Sequence, residues 1–271
     1  MSHPESRPAA DARPLLILKV GQTHEAIRAK LGDFDDWIAA GLRSGGAQTI
    51  NTVDPRQGGA LPAPSSVSGV VISGSHAMVS DRETWSEALV SWLQQAVAVE
   101  LPVLGICYGH QLLAHALGGE VIHHPDGVEL GMIEVRQRLE AQDDPLFATL
   151  PHAFDALSVH WQSVSRLPEG AVWLASSAHE PHHAFRLGRC AWGVQFHPEF
   201  SVDALRAYLD GLGQARVRQG LDPATISSQM KPTPVAASVL AQFARLALGV
   251  ARPKAVSMAW GPCPVLPAPR V

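Results

Sequence analysis

The chain has 271 residues, 46% of them hydrophobic, enough to bury a full α/β core in one large domain. Its 21 basic and 25 acidic residues leave a formal charge of −4 with no long basic run, which argues against a nucleic-acid partner. No apolar stretch reaches the roughly 18 residues of a membrane span, and residues 1–14 lack an apolar signal core, so a soluble protein with no membrane partner is expected. The cysteines, Cys107, Cys190 and Cys263, make no disulfide framework and suit a reducing, cytoplasmic compartment.

Along the chain, strands and helices alternate. Residues 15–20 read as a buried strand, and residues 34–42 as a helix with Asp33, Asp35 and Asp36 at its start. Residues 47–53 and 67–72 are two further strands across a Gly/Pro-rich loop. Residues 84–99 carry Trp85, Ala88, Leu89, Trp92, Leu93, Ala96 and Val97 at the spacing of an amphipathic helix, which assigns the tryptophans to the core. Residues 101–106 form an apolar strand, followed by a short helix over 108–117 closed by Gly118-Gly119. This succession predicts an α/β fold: a mostly parallel central sheet, helices on both faces, and a site at the carboxyl ends of its strands. Short strands then follow at 121–123, 132–135, 154–159, 172–176 and 184–196, mostly antiparallel and expected to add a small antiparallel sheet, with a hairpin turn at Leu187-Gly188-Arg189. Leu205, Tyr208, Leu209 and Leu212 mark a closing helix. A last helix starts at Thr233-Pro234 and keeps its stripe through Val239, Leu240, Phe243 and Ala247 to Gly249, before a proline-rich tail from residue 252.

Chemistry concentrates in the run Gly105-Ile106-Cys107-Tyr108-Gly109-His110-Gln111, where a strand stops at a cysteine between two glycines. A nucleophile on a sharp strand-to-helix turn sits in strained backbone, so the positions two residues to either side must be small. The helix start behind Cys107 would favour negative charge on its sulfur. On its own the run fits a buried core cysteine equally well. Far downstream, Gly193-Val194-Gln195-Phe196-His197-Pro198-Glu199-Phe200 supplies what a thiol nucleophile lacks. It needs a base within hydrogen-bond reach, and the base needs a group that fixes its tautomer. His197 and Glu199 suit those two roles where an apolar strand exits and Pro198 stiffens the chain.

With the strings GICYGHQ and GVQFHPE in that order, the chain resembles the class I (triad-type) glutamine amidotransferases, and among them stand-alone proteins similar to the amidotransferase domain of GMP synthase. The resemblance covers roughly residues 15–212. It divides the chain into a flexible N-terminus (1–14), an amidotransferase domain (15–218), and a C-terminal extension (219–271) with one helix and the proline-rich tail. It implies a flavodoxin-like fold, with Cys107 as nucleophile, His197 as base and Glu199 as its orienter. It places the oxyanion donors at the backbone N–H of Tyr108 and at Gly74 or Ser75, in a loop reading Ser73-Gly74-Ser75-His76 where relatives carry Ser-Gly-Gly-Pro. It also implies that Gln111 and the run Ser158-Val159-His160-Trp161-Gln162-Ser163 hold the α-amino and carboxylate end of the substrate. His160, Trp161 and Gln162 thereby become binding candidates, with Trp161 standing where glycine is common.

The implied reaction is hydrolysis of the γ-amide of glutamine through a γ-glutamyl thioester, without a cofactor. No Gly-x-x-x-x-Gly-Lys nucleotide loop is present, so a separate ATP-dependent synthetase is the expected receiver of the ammonia. One alternative is a hydrolase of γ-glutamyl peptides or amines, its pocket reshaped by Ser75-His76 and Trp161. Another is a noncatalytic regulator with Cys107 as a redox-sensitive thiol, against which the intact His197 and Glu199 argue. The thirteen histidines give no metal-binding spacing: His123-His124 and His182-His183 are adjacent pairs, which on a strand point to opposite faces. Three roles stay open for the tail: covering the core, self-association into a homo-oligomer, or contact with a partner.

Overall fold

The computed structural model describes residues 13–211 and 222–250. The expected flexible segment up to residue 12, Leu212 of the closing helix, and the tail from residue 251 with Cys263 lie outside them.

Five strands run parallel side by side: β1 (Leu15–Leu18), β2 (Ile50–Val53), β3 (Gly69–Ile72), β4 (Val103–Ile106) and β11 (Ala191–Val194). Beyond β11 the same sheet continues antiparallel through β10 (Ala184–Leu187), β9 (Val172–Ser176), β6 (Glu129–Gln137) and β7 (Ala153–His160), giving the order β2-β1-β3-β4-β11-β10-β9-β6-β7. A separate two-stranded antiparallel sheet joins β5 (Glu120–His123) to β8 (Gln162–Arg166). The short strands after the first half of the chain thus mostly lengthen the main sheet, and the small sheet is this pair.

The parallel strands read as continuous apolar runs because both of their faces are covered. Leu15, Ile17, Val71, Leu104 and Ile106 point to one face, into the core shared with α2 (Phe34–Ser44) and a C-terminal helix, α7 (Pro234–Ala247). Leu16, Leu18, Val70, Ile72 and Val103 point to the other, against α3 (Thr84–Ala98) and α4 (Tyr108–Ala116). Helix α2 starts at a capping box: Asp33 accepts from Phe34 N–H at 2.9 Å, and Asp36 accepts from Asp33 N–H at 3.0 Å. A third cluster, including Ile27, Phe34, Phe200, Leu205, Tyr208 and Met230, gathers α1 (Glu25–Leu31) and α5 (Val202–Gly211) beside α6 (Pro223–Gln229).

Helix α7 belongs to the main core. Val239, Leu240, Phe243 and Ala244 are buried against α2, where a side chain on Gly45 would come within 2.3 Å of the Ala241 carbonyl oxygen. Among the described residues, two helices follow residue 219 where the pattern predicts one. The additional one, α6, buries no residue and is started by Asp222, which accepts from Ala224 N–H at 3.1 Å, with Pro223 at its first position. Helix α1 was also absent from the pattern, since only Ile27 of its residues is buried. Among the described residues, no helix is long and apolar enough to cross a membrane.

Candidate active site

Cys107 follows β4 directly and caps α4, with φ 50° and ψ −101°. Holding a non-glycine residue there costs on the order of 1–3 kcal/mol, which the surrounding packing must supply. A side chain on Gly105 would sit 2.3 Å from the Gly109 carbonyl oxygen, and one on Gly109 2.5 Å from that of Ile72. The two glycines therefore let the first turn of α4 press onto β4 and β3, which is what swings Cys107 outward.

His197 arrives from the neighbouring strand. The β4–β11 register pairs Ile106 with Val194, and Cys107 N–H donates to the Val194 carbonyl at 2.9 Å. Three residues on, His197 is fixed by its own N–H to the Leu157 carbonyl at 2.8 Å. Its Nδ1 lies 2.8 Å from Glu199 Oε1, which leaves Nε2 for the thiol. Burial opposes a charge on this ring, but the Glu199 carboxylate and the Cys107 sulfur outweigh it and push the His197 pKa up to about 10. A side chain on Gly74 would lie 3.2 Å from His197 Cε1 and 3.8 Å from Cys107 Cβ, so the loop after β3 borders both groups.

These residues open onto a cleft of about 370 Å³. One wall carries Gln111, one turn into α4, together with His160, Trp161 and Gln162. The Gln111 amide donates to the Gln162 carbonyl at 2.9 Å and to Gln195 Oε1 at 3.0 Å. The Gln162 side chain is turned to the loop after β3, accepting from Val79 N–H at 2.9 Å and donating to Ser80 Oγ at 2.6 Å. The His160 ring faces away into the protein. Ser75, Cys107, Tyr108, Gln111, His160, Trp161, Gln162 and His197 thus line one cleft, with Trp161 half-buried in its wall and the side chains of His160 and Gln162 hydrogen-bonded within the protein, while Gly74 and Glu199 stand behind it.

Beneath that wall lies a buried centre that no spacing in the sequence announces. Glu129 Oε2 is 2.9 Å from His160 Nε2 and 2.8 Å from His183 Nε2, and accepts from Ser158 Oγ at 3.0 Å. Its Oε1 accepts from Ser177 Oγ at 2.6 Å. His160 Nδ1 also lies 2.9 Å from the Gln162 carbonyl, so the ring links the carboxylate to the segment that lines the cleft. Burial works against the charge on Glu129, but the two histidines hold its carboxyl well below the usual range. Glu129, His160 and His183 bring three metal-ligand atoms within 4.8 Å of one another. The two Nε2 atoms both lie within hydrogen-bond distance of the same carboxylate oxygen, Glu129 Oε2. The His182-His183 pair separates, though in the turn before β10 and not on a strand: His183 joins this hub, and His182 donates from Nδ1 to the Val164 carbonyl.

Comparison with known proteins places the arrangement. The family profile described as glutamine amidotransferase class-I matches residues 34–209. The chain is 40% identical over 131 residues to a GMP synthase (glutamine-hydrolysing) of Thermomicrobium roseum, covering 48% of this chain and 23% of the relative. It is 30% identical over 194 residues to the same-named protein of Streptococcus thermophilus, covering 70% and 33%. It therefore spans about a fifth to a third of the length of these curated relatives. In fold it is similar to a glutamine amidotransferase of Thermotoga maritima (TM-score 0.69, 20% identity, 87% of this chain and 98% of that one). A glutamine amidotransferase of Methylobacillus flagellatus gives TM-score 0.67 at 22% identity over 93% and 100%. The elbow cysteine, the paired histidine and glutamate, and the matched span of 34–209 lead to one conclusion: this chain belongs to the class-I glutamine amidotransferase family.

Proposed function

We propose that the protein hydrolyses the γ-amide of glutamine by covalent catalysis through Cys107, His197 and Glu199. The observation that carries this reading is the 2.8 Å contact between His197 Nδ1 and Glu199 Oε1, just past the end of β11, the strand hydrogen-bonded to β4, which Cys107 follows directly. Gln111 and the backbone of residues 158–162 hold the α-amino and carboxylate end of the substrate. The Cys107 thiolate attacks the γ-carbonyl carbon, and the resulting oxyanion is held by the N–H groups of Tyr108 and of Gly74 or Ser75, one such donor being worth roughly 3 kcal/mol of barrier. His197 Nε2 gives its proton to the departing nitrogen, so the C–N bond breaks and ammonia leaves. Water, losing a proton to His197, then attacks the thioester carbon, releasing glutamate and restoring the thiol. Release of glutamate from glutamine by the purified protein, compared with Cys107→Ala, is the test. The variant is expected to lose all turnover, and substantial residual hydrolysis would overturn the assignment.

A separate ATP-dependent synthetase is the receiver of ammonia that the names of the relatives suggest. A second reading, hydrolysis of γ-glutamyl amides with a larger leaving group, is favoured by the aromatic rings beside His197. A regulator that uses Cys107 only as a redox-sensitive thiol would have no need of an oriented base.

A further inference from the structure

We infer that the His197 side of the cleft is a binding subsite for an aromatic amine, so that the substrates of this site include γ-glutamyl amides whose nitrogen carries an aromatic group. This rests on the hydrolytic reading above and names the class of leaving group it serves.

The cleft is chemically divided. The Gln111 side chain stands on one side of Cys107, its amide nitrogen tied to the Gln162 carbonyl and to Gln195 Oε1, so that its oxygen is the group left to meet an amino-acid head. His197 stands on the other side, and because it must hand a proton to the departing nitrogen, whatever lies next to it is where the amine's substituent goes. There the lining is rings. Phe200 stacks on His197 with centroids 4.0 Å apart, and on Tyr208 at 5.5 Å. Phe34 stacks on Phe200 at 6.1 Å. At the mouth the exposed rings of His24 and His76 stack at 4.8 Å with planes only 21° apart, and His76 Nε2 lies 3.2 Å from the Tyr208 hydroxyl.

These rings come from separate places in the chain: the approach to α1, the start of α2, the loop after β3, and the segment from Phe200 into α5. Their convergence on the reacting histidine gives ammonia nothing, since a small polar product gains no contact from an apolar wall. A planar amine substituent, in contrast, finds faces to stack against and an apolar floor beneath. The cleft, at about 370 Å³, is in the range of sites that hold drug-sized ligands, and the short side chain of glutamine does not require such room. His76 is central because it stands in the oxyanion loop, so an occupied ring subsite sits one residue from the Gly74-Ser75 donors.

The test compares kcat/KM for γ-glutamyl-benzylamide, γ-glutamyl-methylamide and glutamine, with Cys107→Ala as the blank and His24→Ala/His76→Ala as the probe of the subsite. The benzylamide is expected to exceed the methylamide by about tenfold or more, the scale of discrimination an apolar pocket supplies. In the double variant that ratio is expected to collapse toward one. Added benzylamine should also intercept the thioester formed from glutamine, giving γ-glutamyl-benzylamide, at lower concentration than methylamine does. If glutamine is turned over in a Cys107-dependent way but the wild-type ratio stays below tenfold, the subsite is refuted and the hydrolytic reading stands. A preference that survives in the double variant also refutes the assignment to these rings. Absence of Cys107-dependent turnover of all three compounds removes the hydrolytic reading and the subsite with it.

Discussion

At the scale of single residues, charge in the site is set by three groups out of contact with bulk water. His197 is driven toward its protonated form by Glu199 and Cys107 against the penalty of burial, reaching a pKa of about 10 from an ordinary 6.5. A raised folded-state value stabilises the fold fully below the unfolded-state pKa, and the contribution fades as pH climbs to the folded one. The stability gap between wild type and His197→Asn is therefore expected to be full at pH 6 and to shrink toward pH 10, read from urea unfolding across that range; a gap that widens with pH would mean the ring is buried neutral. The proposed catalytic residues are legible because each sits in a short string whose spacing has a steric or hydrogen-bonding reason: glycines around Cys107, and two positions from His197 to Glu199. Glu129 is not. It starts a strand where a glutamate reads as an edge residue, while His160 ends β7 and His183 stands in the turn just before β10, so only the folded sheet brings them together.

At the scale of elements, legibility followed burial. Strands covered on both faces and the striped helices α2, α3 and α7 announce themselves through their apolar residues, whereas α1 and α6 bury one residue and none. Strand β8 was hidden differently, inside a polar run, Gln162–Arg166, that was read only for its likeness to a substrate-holding segment. The role of α7 is sharper in three dimensions than in the pattern. A stripe shows that a helix packs, but not on what, and here it lies on α2 and completes the core of the parallel sheet. Phe243→Ala is accordingly expected to destabilise the protein by about 3–5 kcal/mol, the cost of an emptied aromatic core site, measurable by chemical denaturation. A loss under about 1 kcal/mol would mark α7 as a loosely held appendage.

For the whole molecule, the sheet has a parallel half that leads into Cys107 and an antiparallel half that carries Glu129 and His160, with β11 at the seam between them. The relatives named GMP synthase are several times longer than the region they share with this chain. If ammonia is handed on, an ATP-using synthetase is expected to be retained by the tagged protein and to raise its glutamate release; retention with no change in rate would argue that the two share no reaction.

The seam has a consequence for how the protein comes into being. Strand β11 is the last to enter the sheet, and it inserts between β4 and β10, both of which leave the ribosome before it. Until it docks, Cys107 has neither His197 nor Glu199 beside it, and the Val194 carbonyl that receives its N–H is missing. The growing chain thus carries a thiol without a base from the synthesis of Cys107 to that of His197. If the two act together as proposed, fragments from interrupted translation that stop short of Ala191 would be harmless to the glutamine around them.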